Sequence, residues 1–305
     1  MSELATFVSR ERCLGCYSRT LRALSSGSFD DDPLHGFIAR DPWGENPLPF
    51  LRGARWEYVE CADCSLTFQR HVLSPQWAER KFSRWISAAA IAEFERTHHS
   101  RQAVFDRGIH FTKHALQVEK LTRQLRGDGP VRILDFGCGN GEFLEQCRLY
   151  GFIAEGVDRS TARIAANPGR IHSDLSALKG ELFHAVALFE VLEHLEEPRA
   201  VLEALTPLLL PGGILILETP DASGVRDIKS FHDYQMIHPL DHINGFTPST
   251  LRSFAERLGY QSITPPVSHV TAEIGRLLKT EAKRVLKFAL APRTQQYFRK
   301  VSPRQ

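Results

Sequence analysis

No apolar run in this sequence is long enough to cross a bilayer. The longest, LLLPGGILILE, is interrupted by Pro211, Gly212 and Gly213, short of the roughly 20 residues that a spanning helix needs. The opening MSELATFVSRER lacks the apolar core of a secretory signal, and neither internal repeats nor low-complexity tracts occur. Net charge is scarce too. Against 38 Lys and Arg stand 36 Asp and Glu, a formal +2, so no basic excess marks a nucleic-acid partner. These absences lead to the expectation of a cytoplasmic protein with no transmembrane segment and no nucleic acid bound. What remains is an ordinary globular composition over 305 residues, enough for one large α/β core and a smaller module.

Cysteines are few, six in all, and their spacing matters more than their number. Cys13 and Cys16 make one CxxC, and Cys61 and Cys64 make another. Four thiolates at turn spacing suit a tetrahedral zinc with no open position, hence a structural one. The 44 residues between the pairs (17 to 60) require a loop or extra strands between the knuckles. Four free or disulfide-bonded cysteines are the alternative, and a reducing cytoplasm disfavours disulfides.

Texture changes along the chain. Residues 1–73, with SSGSFDDDPLHG and RDPWGENPLP, are rich in turn formers, while WEYVECADCSLTFQ reads as strand, knuckle, strand: a zinc-ribbon-like module. Residues 74–128 carry helical periodicity, with Trp77, Phe82, Trp85 and Ile86, then Ala115, Leu116, Val118, Leu121 and Leu125. From 129 to 264 strands and helices alternate: VRILDF, EFLEQCRLYG, FIAEGVD, RSTARIAAN, ELFHAVALFE, EPRAVLEALTPLL, GGILILETP, TPSTLRSFAERLGY. That rhythm predicts a doubly wound, mostly parallel sheet with its ligand at the carboxyl ends of the strands. Residues 265–305 read as a basic amphipathic helix or tail. Nine Lys and Arg face two Glu after Thr271, and Ile274, Leu277, Leu278, Val285 and Leu286 share one face. Weak contact with a membrane surface is one reading. A helix packed back on its own protein is the preferred one.

The centre of the sequence is ILDFGCGNGEFLE, Ile133 to Glu145. Three glycines alternate behind a strand-terminal carboxylate, Asp135, which would repel the pyrophosphate of a dinucleotide. The loop suits a phosphate-free nucleoside carrying an ammonium. Here the sequence resembles the class I S-adenosylmethionine-dependent methyltransferases, through ILDFGCGNG, EGVDRS, HSDL, FHAVALFEVLEHLEEP and LLLPGGILILETP. The resemblance covers about residues 130–262 and implies a Rossmann-like seven-stranded sheet with S-adenosylmethionine as cofactor. It implies that Asp135 faces the methionine ammonium and that Gly137, Cys138, Gly139 and Gly141 pass beneath the ligand. Asp158 would take both ribose hydroxyls, Asp174 the adenine amine, and Leu175 would offer backbone. Glu190 would lie beside the cofactor. For Asp158 and Asp174, helix capping is the alternative role.

The paired knuckles with this core resemble methyltransferases of secondary metabolism and saccharide pathways, which implies a small-molecule methyl acceptor. A hydroxyl or activated-carbon acceptor needs a base, and FHDYQMIHPLDHINGF offers His242 first, then His238, then Tyr234. Glu190, Glu193 and His194 in FEVLEH would converge if helical. The resemblance then offers a metal-assisted O-methyltransferase on a vicinal diol. A non-enzymatic zinc-ribbon module with a degenerate nucleotide fold stands as the third alternative.

Overall fold

Within this computed structural model the described residues are 3–87, 89, 90, 92, 93, 96, 100–166, 169–268, 270 and 293–301. They fall into two units. One comprises Met1–Ser100, Glu190–Ala200 and Thr219–Thr250; the other comprises Arg101–Phe189, Val201–Glu218 and Leu251–Gln305.

In the first unit β1 (Phe7–Ser9) pairs antiparallel with β5 (His71–Leu73), while β2 (Leu21–Ser28), β3 (Arg55–Cys61) and β4 (Thr67–Gln69) form an antiparallel sheet. The two-residue strand Asn244–Gly245 completes that sheet on β4. Its core gathers Phe29, Tyr58, Trp77 and Trp85 with Tyr234, Ile237 and Leu240 from late in the chain. Burial of such large side chains is the main stabilising term of the unit. The sequence marks β3 and β4 through their apolar runs, but β2 falls in the stretch read as loop-rich. Its residues LRALSSGS are small or polar and only partly covered, so they show neither alternation nor a continuous apolar run.

The second unit holds a seven-stranded sheet. Its strands are β6 (Arg132–Phe136), β7 (Ile153–Val157), β8 (Ile171–His172), β9 (Phe183–Phe189) and β10 (Leu209–Glu218), then, after Asn244–Gly245 of the first unit is counted as β11, β12 (Tyr260–Ile263) and β13 (Gln296–Lys300). Their order is β12–β13–β10–β9–β6–β7–β8. From β10 to β8 all pairings are parallel, and β13 runs antiparallel to both its neighbours. All seven residues of β9 but the last are buried, as befits a parallel strand covered on both faces. The helix Arg101–Arg126 packs Ala115 and Val118 into the core with Ile133, Phe143, Ala185 and Ile216. Strand order reverses between β6 and β9, which makes the carboxyl ends of these strands the ligand crevice.

The C-terminal stretch departs from the expected helix or tail in one place. Gln296–Lys300 lies in the stretch expected to be a basic helix or tail, yet it is β13. Tyr297 and Phe298 are both fully buried there, so no helical or two-fold periodicity shows in so short a run. The apolar face from Ile274 to Leu286 lies outside the described residues.

Candidate active site

Asp135 stands in β6 beside Gly156 of β7 and Ala187 of β9. The residue is 3% exposed, and among the described residues no hydrogen bond reaches its carboxyl group. Burial, and after it the nearby Asp158 carboxylate, push it up to about 8. An uncompensated buried carboxylate is costly, and a cationic ligand would relieve that cost. Beyond it the chain turns sharply. Gly137, Gly139 and Gly141 have φ of 76°, 56° and 79°, left-handed values that glycine adopts without a Cβ clash. The N–H groups of Gly137 and Cys138 both donate to the Val157 carbonyl, at 2.7 and 3.1 Å. The loop is thereby folded over the end of β7, and Gly141 caps the helix Glu142–Leu149.

Asp158 follows β7 and reaches into the same loop. Its Oδ2 accepts from the Gly139 N–H at 2.9 Å and its Oδ1 from the Ser160 N–H at 2.8 Å. Asp135, Asp158 and the three glycines are thus brought together. Cys138 belongs to the loop through its backbone, and its thiol donates weakly to the Gly139 carbonyl at 3.9 Å. Its thiol packs on Gly156, where an added Cβ would lie 2.6 Å from Sγ. Asp174 is exposed and caps the short turn Leu175–Leu178, accepting from the Ser176 N–H at 2.8 Å. Leu175 opens that turn, half-buried.

In the first unit three of the histidines, His194, His238 and His242, form two groups. His238 is buried and bonded to the Tyr234 hydroxyl, which donates to Asp41, while its Nδ1 accepts from the Leu240 N–H at 3.1 Å. Both ring nitrogens are engaged, and burial together with Asp41 pushes the Tyr234 phenol far up. His242 belongs to the other group, with its ring 4.8 Å from that of His194. Its Nδ1 donates to the Gln235 carbonyl at 2.6 Å, which leaves Nε2 with a lone pair. Burial and the neighbouring His194 charge push it down to about 3.

Asp241 anchors this second group. The buried Lys81 ammonium lies 2.6 Å from Asp241 Oδ1, and His194 Nδ1 lies 3.3 Å from the same oxygen. Burial lowers His194, but Asp241 and Glu193 outweigh it and raise it to about 9. Glu193 is pushed up to about 8, chiefly by burial, and among the described residues neither of its carboxylate oxygens has a hydrogen-bond partner. The ligand atoms of Glu193, His194 and His242 lie within 4.8 Å of one another. Glu190, at φ 54°, precedes the short turn Leu192–His194 and is outside that trio. Asn244 staples the turn, donating to the carbonyls of Leu192 and Leu195 at 2.7 and 2.8 Å, and Arg10 holds Asn244 in turn. Lys81, Asp241 and Asn244 escape the sequence reading because their partners lie tens to hundreds of positions away.

The four knuckle cysteines also converge. Cys13 and Cys64 have their sulfurs 3.4 Å apart, Cys16 and Cys61 3.5 Å, near the roughly 3.8 Å separation around a zinc with 2.3 Å bonds. Both knuckles are built alike. The residue after the second cysteine, Tyr17 or Ser65, is left-handed at φ 61° or 60°. Its N–H donates to the first cysteine's carbonyl, at 3.0 and 2.9 Å. The donor set and the turns are compatible with zinc.

A doubly wound sheet whose switch point carries a carboxylate-floored, left-handed glycine loop defines a class I S-adenosylmethionine-dependent methyltransferase. A family model described as a methyltransferase domain matches residues 98–264, more than half of the chain. The chain belongs to that family. It is similar to the ubiquinone biosynthesis O-methyltransferase of Dinoroseobacter shibae, 33% identical over 126 residues that make 36% of this chain and 48% of the relative. The protein of the same name from Colwellia psychrerythraea is 29% identical over 168 residues, 49% of this chain and 68% of the relative. The chain spans about half the length of several of the curated relatives it matches, the first of these included. The solved plantazolicin methyltransferase BpumL in complex with SAH is 18% identical, with a TM-score of 0.46 over 74% of this chain and 94% of that one. Among the described residues no helix is long and apolar enough to cross a membrane.

Proposed function

We propose that the protein transfers the methyl group of S-adenosylmethionine to a small-molecule acceptor, a sugar or a secondary metabolite, with a structural zinc on Cys13, Cys16, Cys61 and Cys64. The observation that carries this reading is Asp135, a buried carboxylate with no hydrogen-bond donor among the described residues, held where a glycine loop leaves room for a ligand. When bound, the cofactor supplies an electrophilic methyl on a sulfonium. Asp135 holds the ammonium end, Asp158 the ribose, and the Gly137–Gly141 backbone lies under the ligand. Fixing the methyl donor in this way supplies alignment, the main need of an in-line displacement.

The neutral His242 ring offers its Nε2 lone pair to an acceptor hydroxyl. Its low pKa makes it a weak base at rest, so orientation of the hydroxyl is its principal task. His242→Ala is expected to lower kcat by roughly 100-fold while the cofactor Kd measured by calorimetry stays unchanged. Unaltered turnover would remove His242 from this role. The overall reading is tested by a screen of nucleotide-sugars and phenolic acceptors with methyl-labelled cofactor, and absence of transfer to every acceptor together with absence of cofactor binding would defeat it.

A second reading is favoured by Glu193, whose unpartnered carboxylate oxygens lie close to His194 and His242. This donor set fits a divalent cation acting on a vicinal diol as a Lewis acid, in keeping with the O-methyltransferase names of the relatives. Under this reading, mild chelation that leaves the four-cysteine site loaded abolishes turnover without lowering the melting temperature, and added divalent metal restores it. Turnover that survives such chelation favours the metal-free reading.

A further inference from the structure

We infer that His110, His114 and Glu218 form a separate divalent transition-metal site with open coordination positions, in the second unit. The two histidines are one helical turn apart on Arg101–Arg126, a spacing that sends both imidazoles to the same side. Glu218 ends β10 in register with Phe189 of β9, at the carboxyl edge of the sheet that also carries Asp135. His110 Nε2 lies 3.3 Å and His114 Nε2 3.6 Å from the same Glu218 oxygen, and the three ligand atoms all fall within 4.8 Å. Ligands around a tetrahedral zinc, with bonds of about 2.0–2.1 Å, stand roughly 3.4 Å apart. Two of the three separations are near that spacing before any ion draws the group in.

The hydrogen bonds around the trio orient it further. Tyr297 donates its hydroxyl proton to Gln117 and therefore accepts from His114 Nδ1. This fixes the His114 tautomer with its lone pair on Nε2, facing Glu218, the arrangement that outer partners impose on metal-binding imidazoles. The nitrogen of Gln295 bridges the same two acceptors, at 2.6 Å from Glu218 Oε2 and 2.8 Å from His114 Nε2. One NH2 group with two positive hydrogens there stands in for a cation, and rotation of the amide would present its oxygen as a further ligand. On one side Phe189 and Phe143 face His114, ring centroids 4.8 and 6.4 Å away. On the other His110, 35% exposed, gives a route in.

Two imidazoles and one carboxylate suit zinc, manganese, cobalt or ferrous iron rather than magnesium or calcium, which favour oxygen donors. Three protein ligands leave at least one position for an oxygen of a bound small molecule. The site shares no residue with the four cysteines, which close their own coordination, or with the Glu193 group of the other unit.

The test is a cobalt(II) titration of the full-length protein with zinc already on its cysteines, followed by calorimetry and visible absorption. Wild type is expected to take up cobalt with ligand-field bands and no thiolate charge-transfer band. His110→Gln and Glu218→Gln should each lose one equivalent or weaken it at least tenfold, with unchanged far-ultraviolet circular dichroism. His242→Gln should retain that equivalent, which separates this site from the Glu193 group. Equal cobalt affinity and stoichiometry in wild type, His110→Gln and Glu218→Gln overturns the inference. Because the readout is binding, it stands or falls apart from methyl transfer.

Discussion

Asp135→Asn is expected to weaken cofactor binding by about 100-fold or more, the cost of removing one partner from a buried, hydrogen-bonded charge pair. Unlike the loss of a surface ion pair, this loss would not be screened by salt, because the carboxyl is almost wholly buried. A pH signature accompanies it. The group is an acid raised to about 8, so in the ligand-free protein at pH 7 it is mostly protonated, and holding a cation requires it to ionise. Wild-type affinity should therefore rise with pH, by up to tenfold per unit, and level off near pH 8. There the carboxylate is ionised and the cofactor's own amino group, with an ordinary pKa of about 8, starts to lose its proton. Calorimetry in two buffers of different ionisation enthalpy should show nearly one proton released per cofactor bound at pH 7, and none in Asp135→Asn. Wild-type affinity that is flat between pH 6 and 8, with full binding by the variant, would refute the assignment of Asp135 to the ammonium.

Cys13→Ser or Cys64→Ser carries the other large effect. The hydrogen bond from the Cys13 thiol lowers the Cys64 thiol to about 5, which favours the thiolate a metal needs. If four thiolates hold zinc, losing one sulfur removes a share of a binding energy that reaches about 10–16 kcal/mol in small zinc modules and is realised as folding energy. A loss of about 5 kcal/mol would lower the melting temperature of a unit this size by roughly 10–20 °C. The zinc content by atomic absorption should fall by about one equivalent per chain. The second unit, with its own core, is expected to keep a separate transition close to the wild-type one. A variant that melts like wild type and holds no less metal would show the four cysteines to be mere neighbours.

The readable part of this chain is the part governed by local rules. ILDFGCGNGEFLE shows its strand, its left-handed turns and its helix start within thirteen letters, because each feature depends on the residue at that position. The parallel strands β6, β7, β9 and β10 are legible as apolar runs for the same reason. Among the strands that were not are β2 and β13. β2 is only partly covered, and β13 is five residues long with its middle buried on both faces. The site splits likewise. CxxC spacing brings out the four cysteines, and the HPLDHI stretch directs attention to its histidines. What each histidine does depends on distant partners: Lys81 on Asp241, Tyr234 on Asp41, Arg10 on Asn244. His110 and His114 show their one-turn spacing in the sequence, but it means little without Glu218, a hundred positions later.

The place of β13 bears on how the protein comes into being. The stretch 296–300, last of the sheet strands to be synthesised, slots between β10 and β12 rather than adding to a rim. Until it emerges from the ribosome, the facing backbone of both neighbours has no mate, and each is open to pairing with a foreign strand. Completing the sheet joins residues more than 80 positions apart, since Ile214 pairs with Arg299, and such distant closures are slow. Maturation of the second unit is thus a late event, and nascent chains halted before residue 296 are the ones most exposed to aggregation.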